Sequence, residues 1–149
     1  MPHPNSIAVP EGYTISDDPA RIDLDRVRAF LAGESYWAKG ISREIVEKMV
    51  RHSMSWGVYG QEGQVGFARV VTDRATFAYL CDVYIDAEHR GIGLSKALVA
   101  AIMAHPELQN LRRWMLVTAD AHSLYERFGF TVPKFPERYM EVHRPDIYQ

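Results

Sequence analysis

The spacing of apolar residues predicts two helices in the first third of the chain. Apolar positions 22, 24, 27, 30 and 31 recur close to the helical period and Gly33 follows them, which predicts a first helix that ends at this glycine. Ser42 precedes a second run at positions 45, 49 and 50, so a second helix is predicted to about His52. The proline-rich first ten residues predict an irregular arm leading to a short extended piece at 12–15.

The pattern changes to alternating and β-branched residues after Met54. Runs at 55–59, 64–72 and 76–85 are separated by turn sequences, which predicts three successive antiparallel strands. A third helix is predicted at about 93–105 and an apolar strand at 114–118. Asp120 is predicted to cap a short helix that runs through Phe128, and residues 140–143 are predicted as a last strand. This order predicts one mixed sheet covered by helices in a single domain, 1–149.

Composition and charge exclude several classes of protein. The 149 residues suit one domain, 47% of them are hydrophobic, and a formal charge of -2 gives no general attraction for nucleic acid or anionic lipid. A single cysteine, Cys81, forms no intrachain disulfide, and six histidines without cysteine partners make a metal site a poor expectation. No apolar run suits a membrane span and no secretory signal begins the chain, so we expect a cytoplasmic protein without membrane or nucleic-acid partners.

The segment between the third predicted strand and the third helix has the features of an anion site. It reads Val83-Tyr-Ile-Asp-Ala-Glu-His-Arg90-Gly-Ile-Gly-Leu-Ser-Lys96 and enters the helix through two glycines. Glycines let a ligand approach the backbone closely, and the free N–H groups and dipole of a helix N-terminus favour a phosphate. The alternative is that Gly91 and Gly93 only make a tight connection. Neither the Walker pattern nor the dinucleotide-binding pattern fits this loop.

Two strings carry a resemblance to a known family. Arg90-Gly-Ile-Gly-Leu-Ser95 resembles the acyl-CoA loop of the GNAT N-acetyltransferase superfamily, whose pattern is Gln/Arg-x-x-Gly-x-Gly/Ala. Residues 121–130, Ala-His-Ser-Leu-Tyr-Glu-Arg-Phe-Gly-Phe, resemble its second signature, and the two stand in the family's order. Ser95 stands at the last position of the loop pattern, where the family usually has glycine or alanine. Thr118 stands where the family often has an asparagine, so the pantetheine contact of that asparagine is not carried over.

The resemblance implies an α/β fold, more closely an α+β arrangement in which helices flank a mixed, mostly antiparallel central sheet. It also implies acetyl-CoA as cosubstrate. In the family the strand before the loop diverges from its neighbour, so that free main-chain groups bind the pantetheine and polarise the thioester, while the loop binds the pyrophosphate. The implied cofactor-binding residues are Val83, Tyr84, Ile85, Arg90, Gly91, Ile92, Gly93, Leu94, Ser95 and Lys96.

Tyr125 is the candidate for the chemistry of acyl transfer. A leaving thiolate benefits from a proton donor, which a phenol can supply, and the resemblance implies that Tyr125 is the general acid. The base stays open among Asp82, His122 and Glu34, of which Asp82 joins Tyr125 as the predicted catalytic pair. A strand cysteine is usually a small buried hydrophobe, so we expect direct transfer rather than an acyl intermediate on Cys81.

The predicted function is transfer of an acetyl group from acetyl-CoA to a primary amine of a small molecule or peptide. A non-catalytic CoA-binding sensor and a protein-interaction domain of the same fold are the alternatives. An edge strand would allow a homodimer. The sequence does not identify the acceptor. An aromatic wall for it and packing in the core are both open for Tyr36, Trp37, Trp56 and Phe77.

Overall fold

The computed structural model describes residues 7–149 and contains one five-stranded sheet. The strands lie side by side in chain order, and all neighbours are antiparallel except the last pair, which is parallel. This mixed sheet, flanked by helices, confirms the predicted fold class. The strands are β1 (Thr14–Ser16), β2 (Met54–Gly60), β3 (Gly63–Thr72), β4 (Phe77–Ile85) and β5 (Arg113–Met115).

Four α-helices cover the sheet: α1 (Leu24–Gly33), α2 (Arg43–Arg51), α3 (Leu94–Met103) and α4 (His122–Glu126). The first two begin at side-chain caps, because Asp23 and Ser42 accept the main-chain N–H groups of Arg26 and Ile45. A separate 3₁₀ turn at Pro19–Arg21 precedes α1. The helix α3 makes the crossover that a parallel pair of strands requires between β4 and β5.

The buried side chains form two clusters, one on each face of the sheet. The first joins α3 and α4 to the sheet through residues such as Leu80, Leu98 and Tyr125. The second joins α1 and α2 to the sheet through residues that include Leu31 and Phe67. Each helix therefore buries one apolar face against the sheet, as the sequence periodicity predicts.

Two predictions about the C-terminal third are wrong. Asp120 does not cap α4, since the N-cap residue is Ala121, whose N–H donates to Thr118 Oγ1 at 3.0 Å. Residues 140–143 form no strand. A strand needs a hydrogen-bonding neighbour as well as an alternating pattern, and no part of the described chain pairs with this segment.

No helix among residues 7–149 has the length and apolar character needed to cross a bilayer. In the same part of the chain, no cluster of three or more His, Cys, Asp or Glu side chains is arranged to hold a metal ion.

Candidate active site

β4 and β5 separate after a short paired stretch. Their pairing joins residues 77–79 to residues 113–115, whereas β4 continues to Ile85. The second half of β4 therefore has no strand neighbour on the β5 side within the described chain, and its main-chain groups on that side are free to bind a ligand. We call the opening between β4 and the residues after Met115 the cleft. The strand predicted at 114–118 is shorter than expected and is observed as β5, Arg113–Met115.

A β-bulge sets the side-chain directions in β4 beside the cleft. Arg69 pairs with Cys81 and Phe67 pairs with Tyr84, so two β4 residues lie opposite one residue of β3. One of the two is Asp82, whose φ of 55° lies in the left-handed region, which aspartate tolerates better than most residues. The bulge directs Asp82 to the face of the sheet that α1 and α2 cover.

The Asp82 carboxylate is bonded at both oxygens. Oδ1 accepts a hydrogen bond from Trp37 Nε1 at 2.7 Å, and Oδ2 accepts one from Arg69 Nε at 2.7 Å. Arg69 also donates to Ser53 Oγ at 3.2 Å, and the Asp82 side chain is 7% exposed. A carboxylate with two such donors holds its neighbours in place, so the geometry supports an anchoring role for Asp82. Its role as the base stays a prediction.

The three residues predicted to bind pantetheine occupy the end of β4. The Tyr84 ring stacks on Phe30 with 3.8 Å between ring centroids, and the Tyr84 carbonyl oxygen lies against Gly66 of β3. Main-chain groups of successive strand residues point to opposite sides, so those of Val83 and Ile85 face the cleft. The Ile85 carbonyl accepts a hydrogen bond from Arg90 Nε at 2.8 Å, which leaves Val83 with the freest main chain.

The loop after β4 presents an uncapped helix N-terminus. Gly91 and Gly93 have φ of 85° and 93°, and a Cβ atom on either would meet nothing within 4 Å. Gly93 is the N-cap of α3, and no side chain caps the helix. The N–H groups of the first turn, which includes Ser95 and the exposed Lys96, therefore face open space. This space and these donors suit a pyrophosphate.

Tyr125 lies on α4, and its side chain is buried against Phe130. Burial, together with the nearby Tyr36 and Asp120, raises the pKa of the Tyr125 phenol to about 12. The phenol is therefore fully protonated at neutral pH. Tyr36 accepts a hydrogen bond from the Ala119 N–H at 3.2 Å, so the link between α1 and α2 reaches across to the start of α4.

Sequence reasoning missed the role of Arg69 and the contact between Tyr36 and Ala119. An arginine inside the apolar run of β3 was the available signal for Arg69, because a charged residue in such a run needs a partner. Tyr36 carries no such signal, since its contact with Ala119 spans 83 residues. Its ring lies edge-on to Trp37 with 5.0 Å between centroids, and together they form an aromatic wall beside Asp82.

Trp56 and Phe77 lie apart from this wall. Trp56 is 3% exposed and belongs to the core beneath α3, and Phe77 stands at the opposite end of β4 from the bulge. An alternating strand pattern alone does not distinguish a core position such as that of Trp56 from a binding surface.

The remaining candidates differ in their accessibility. Burial raises the pKa of the Cys81 thiol to about 12, which disfavours the thiolate at neutral pH. Direct transfer stays a prediction. His122 and Glu34 are both exposed. Burial raises the pKa of Asp86, and the charge of Glu34 raises it further, which indicates that Glu34 lies near the end of β4.

A second opening lies on the outer side of β5. It has a volume of about 690 Å³, and none of its lining residues belongs to β4 or to the glycine loop. We call this opening the β5 gap. Its walls are β5 with the residues that flank it, one side of α4 that includes His122 and Tyr125, and residues 128–133, 136 and 139.

A mixed sheet that opens between parallel β4 and β5, with a glycine loop and a free helix N-terminus at the opening, has the architecture of an acetyltransferase fold. The chain belongs to the GNAT acetyltransferase family, because the model of the acetyltransferase (GNAT) domain matches residues 51–132. A Gibberella zeae protein named as an acetyltransferase is 32% identical, with 76% of this chain and 75% of the relative covered. The resemblance inferred from the two strings is thereby confirmed at the level of the family.

Solved structures agree with this assignment. A GNAT-family protein from Xanthomonas campestris pv. campestris is 45% identical with a TM-score of 0.89, and 99% of this chain and 98% of that chain are covered. A protein from Clostridium acetobutylicum, whose structure was determined with acetyl-CoA, is 15% identical with a TM-score of 0.64, covering 88% of this chain and 94% of that chain. The second similarity concerns the fold alone.

Proposed function

We propose that the protein transfers an acetyl group directly from acetyl-CoA to a primary amine of a small molecule or peptide. The observation that carries this proposal is the free edge of β4, which lies between the open glycine loop at one end and the bulge at Asp82 at the other. The acetyl-CoA found with the Clostridium acetobutylicum protein of the same fold supports the choice of cosubstrate.

The loop residues fit the phosphate end of that cosubstrate. The uncapped N–H groups at the start of α3 would bind the diphosphate, and exposed Lys96 adds positive charge beside them. Arg90 uses its Nε atom to hold the Ile85 carbonyl, which leaves its terminal nitrogens for a phosphate oxygen. Val83 presents its main chain along the pantetheine arm.

The chemistry that follows is nucleophilic acyl transfer. The amine nitrogen attacks the acetyl carbon, a C–N bond forms, the C–S bond breaks, and the sulfur leaves as a thiolate that takes a proton. Tyr125 supplies this proton or a hydrogen bond to the sulfur. Burial is the main cause that raises the pKa of Tyr125 to about 12, and it also raises the pKa of a thiol formed beside it. The pKa values of the proton donor and of the proton acceptor therefore shift in the same direction.

The proton of the attacking amine leaves on the acceptor side of the cleft. Asp82, Glu34 and His122 are the candidates to accept this proton. The Asp82 oxygens already accept bonds from Trp37 and Arg69, whereas Glu34 is exposed near the end of β4. A proton transfer through water to one of these groups, or to solvent, is compatible with this arrangement.

The test combines ligand binding with turnover. Acetyl-CoA at a hundredfold excess over Kd should raise the free energy of unfolding by about 2.7 kcal/mol, a rise in Tm of roughly 5–11 °C for a chain of this length. Release of free thiol with a panel of primary amines, and none without an amine, should follow. Absence of a thermal shift would contradict the proposal in favour of an interaction domain. A shift without thiol release on any amine would favour a non-catalytic CoA sensor.

A further inference from the structure

A cavity lined by basic side chains lies on the face of the sheet that α1 and α2 cover. Lys48 belongs to α2, His52 follows the end of this helix, and Arg69 belongs to β3. Together with Ser53 and apolar side chains they line a volume of about 360 Å³, which we call the α2 cavity. None of its lining residues is acidic, and such a lining favours an anionic ligand.

Arg69 is largely buried in the wall of the α2 cavity but has unused donors. Its side chain is 18% exposed, its Nε atom donates to Asp82, and one terminal nitrogen donates to Ser53. A guanidinium has five N–H groups, and the described chain offers no acceptor to the others. Ser55 stands opposite Arg69 in the ladder of β2 and β3, and its buried hydroxyl has no partner in the described chain either. Buried polar groups are normally bonded, so this patch is suited to a polar ligand.

Lys48 supplies a positive charge that the protein does not neutralise. Asp82 balances the charge of Arg69, whereas Lys48 is exposed and forms no ion pair with another described residue. A carboxylate between Lys48 and the unused N–H groups of Arg69 would accept charge-assisted hydrogen bonds from both. Ile45 and Val71 at the same cavity are 40% and 41% exposed, which suits a ligand that also has a hydrocarbon part.

Only the width of β4 separates Arg69 from the cleft. Arg69 pairs with Cys81 of β4, so the two side chains lie on the same face of the sheet. The next residue, Asp82, bonds the Arg69 Nε atom, and the cleft begins at the opposite edge of this part of β4. With about 4.8 Å between neighbouring strands, a group beside Arg69 and an atom in the cleft are roughly 5–10 Å apart.

This separation restricts which amines reach both places. In an α-amino acid the nitrogen and the carboxylate carbon are only about 2.5 Å apart. Five methylene groups between them extend this distance to about 7 Å. An amine that lies in the cleft while its carboxylate lies in the α2 cavity therefore has a hydrocarbon chain of this kind.

We propose that the α2 cavity binds the carboxylate of the acceptor, and that the acceptor is a small ω-amino acid with about four to six carbon atoms. This inference rests on the proposed function and names its acceptor class. The amine nitrogen takes the acetyl group and loses a proton, the sulfur of CoA leaves and takes a proton, and the carboxylate is unchanged. Lys48 and Arg69 determine specificity, because they bind the end of the acceptor that does not react.

The first test compares acceptors of equal length in the thiol-release assay with saturating acetyl-CoA. 6-Aminohexanoate, hexylamine and 1,6-diaminohexane have amines of similar basicity and differ in the group at the far end. Wild-type kcat/KM should be about tenfold higher for 6-aminohexanoate than for hexylamine, and lowest for the diamine. Glycine, which is too short, should be a poor acceptor. The KM for 6-aminohexanoate should rise as NaCl is raised from about 50 to 500 mM, because salt screens the attraction between the charges.

Two variants of Lys48 place the effect in the α2 cavity. Lys48→Gln should raise the KM for 6-aminohexanoate about tenfold with kcat unchanged, and should leave both constants for hexylamine unchanged. Lys48→Glu should reverse the order, so that the diamine becomes a better acceptor than 6-aminohexanoate. Lys48 is exposed, so both variants should fold. Lys134→Gln removes an exposed lysine outside the cavity and is the matched control, with wild-type constants for every acceptor.

The possible failures are distinguishable. Equal kcat/KM for 6-aminohexanoate and hexylamine would overturn this inference and leave the proposed function intact. A preference for 6-aminohexanoate that is the same in wild type, Lys48→Gln and Lys48→Glu would show that the carboxylate does not lie in the α2 cavity. Absence of thiol release with every amine, despite a thermal shift with acetyl-CoA, would contradict the proposed function and this inference with it.

Discussion

At the scale of single residues, Asp82 joins the sheet to the link between α1 and α2. Its carboxylate accepts one bond from Arg69 in β3 and one from Trp37 in the link. Trp37 is in turn in edge-on contact with Tyr36, which is bonded to Ala119. The position of the aromatic wall beside the cleft therefore depends on a single buried carboxylate.

We predict that two substitutions of Asp82 lower stability to different degrees. Asp82→Asn leaves the largely buried Arg69 without its anion and should lower the free energy of unfolding by about 2–3 kcal/mol. Asp82→Ala should cost about 1 kcal/mol more, because alanine tolerates a φ of 55° less well than asparagine. Urea denaturation measures both values.

The control for this comparison is Asp25→Asn. It removes a partner of Arg43 in an exposed pair whose side chains are 53% and 79% exposed, so stability should hardly change. Equal stability of Asp82→Asn, Asp82→Ala and wild type would show that the network around Asp82 does not support the fold.

Tyr125 is the residue on which the proposed chemistry depends most. Tyr125→Phe keeps the buried ring and removes the hydroxyl, so we expect kcat with a saturating amine to fall by about a hundredfold while the Kd for acetyl-CoA is unchanged. Tyr59→Phe, which removes a hydroxyl bonded to the Arg21 carbonyl, should leave kcat unchanged. Steady-state thiol release measures both variants, and an unaltered kcat in Tyr125→Phe would remove the general-acid assignment.

The pKa of Tyr125 also predicts the pH dependence of the reaction. A pKa raised to about 12 keeps the acid protonated at neutral pH, and the acid would be lost only as the pH rises through that value. A change in kcat between pH 6 and 10 should therefore arise from the amine or the base. Such a change should persist in the residual activity of Tyr125→Phe, and a pH–rate profile of both proteins measures it.

At the scale of elements, the junction between β4 and α3 depends on two glycines with positive φ. Gly93→Val should lower stability by about 1–2 kcal/mol and should weaken acetyl-CoA binding at least tenfold, because the new side chain enters the space before the free N–H groups. Gly12 is a matched position, since its φ is 88° and a Cβ there also meets nothing within 4 Å.

Gly12→Val should therefore lower stability by a similar amount and leave the affinity for acetyl-CoA unchanged. Isothermal titration calorimetry and urea denaturation separate the two effects. If Gly93→Val binds acetyl-CoA as tightly as Gly12→Val does, the diphosphate does not lie at the start of α3.

At the scale of the whole molecule, two different openings lie beside β5. The pairing between β4 and β5 ends before β4 does, and this opens the cleft. The glycine loop, the main chain of Val83 and the Asp82 network all lie along β4 beside it. The β5 gap lies on the outer side of β5. The cleft is long because β5 is only three residues long and pairs with β4 over those residues alone.

The sequence by itself determined the features that depend on near neighbours along the chain. The cap at Ser42, the hairpins around β3, the glycine loop and the Leu124–Tyr125 signature are local, because turns and helix ends use groups within a few residues. These features were sufficient to predict the fold class and the family. They also placed the loop and β4 at one site, since the two are contiguous in sequence.

Only the tertiary structure decided which distant groups meet. The bonds of Asp82 to Trp37 and Arg69 span 45 and 13 residues, and the bulge that directs Asp82 exists only through pairing with β3. The pattern at 140–143 is that of a strand, yet this segment is unpaired in the single chain, because a strand forms only where a neighbour completes its main-chain hydrogen bonds.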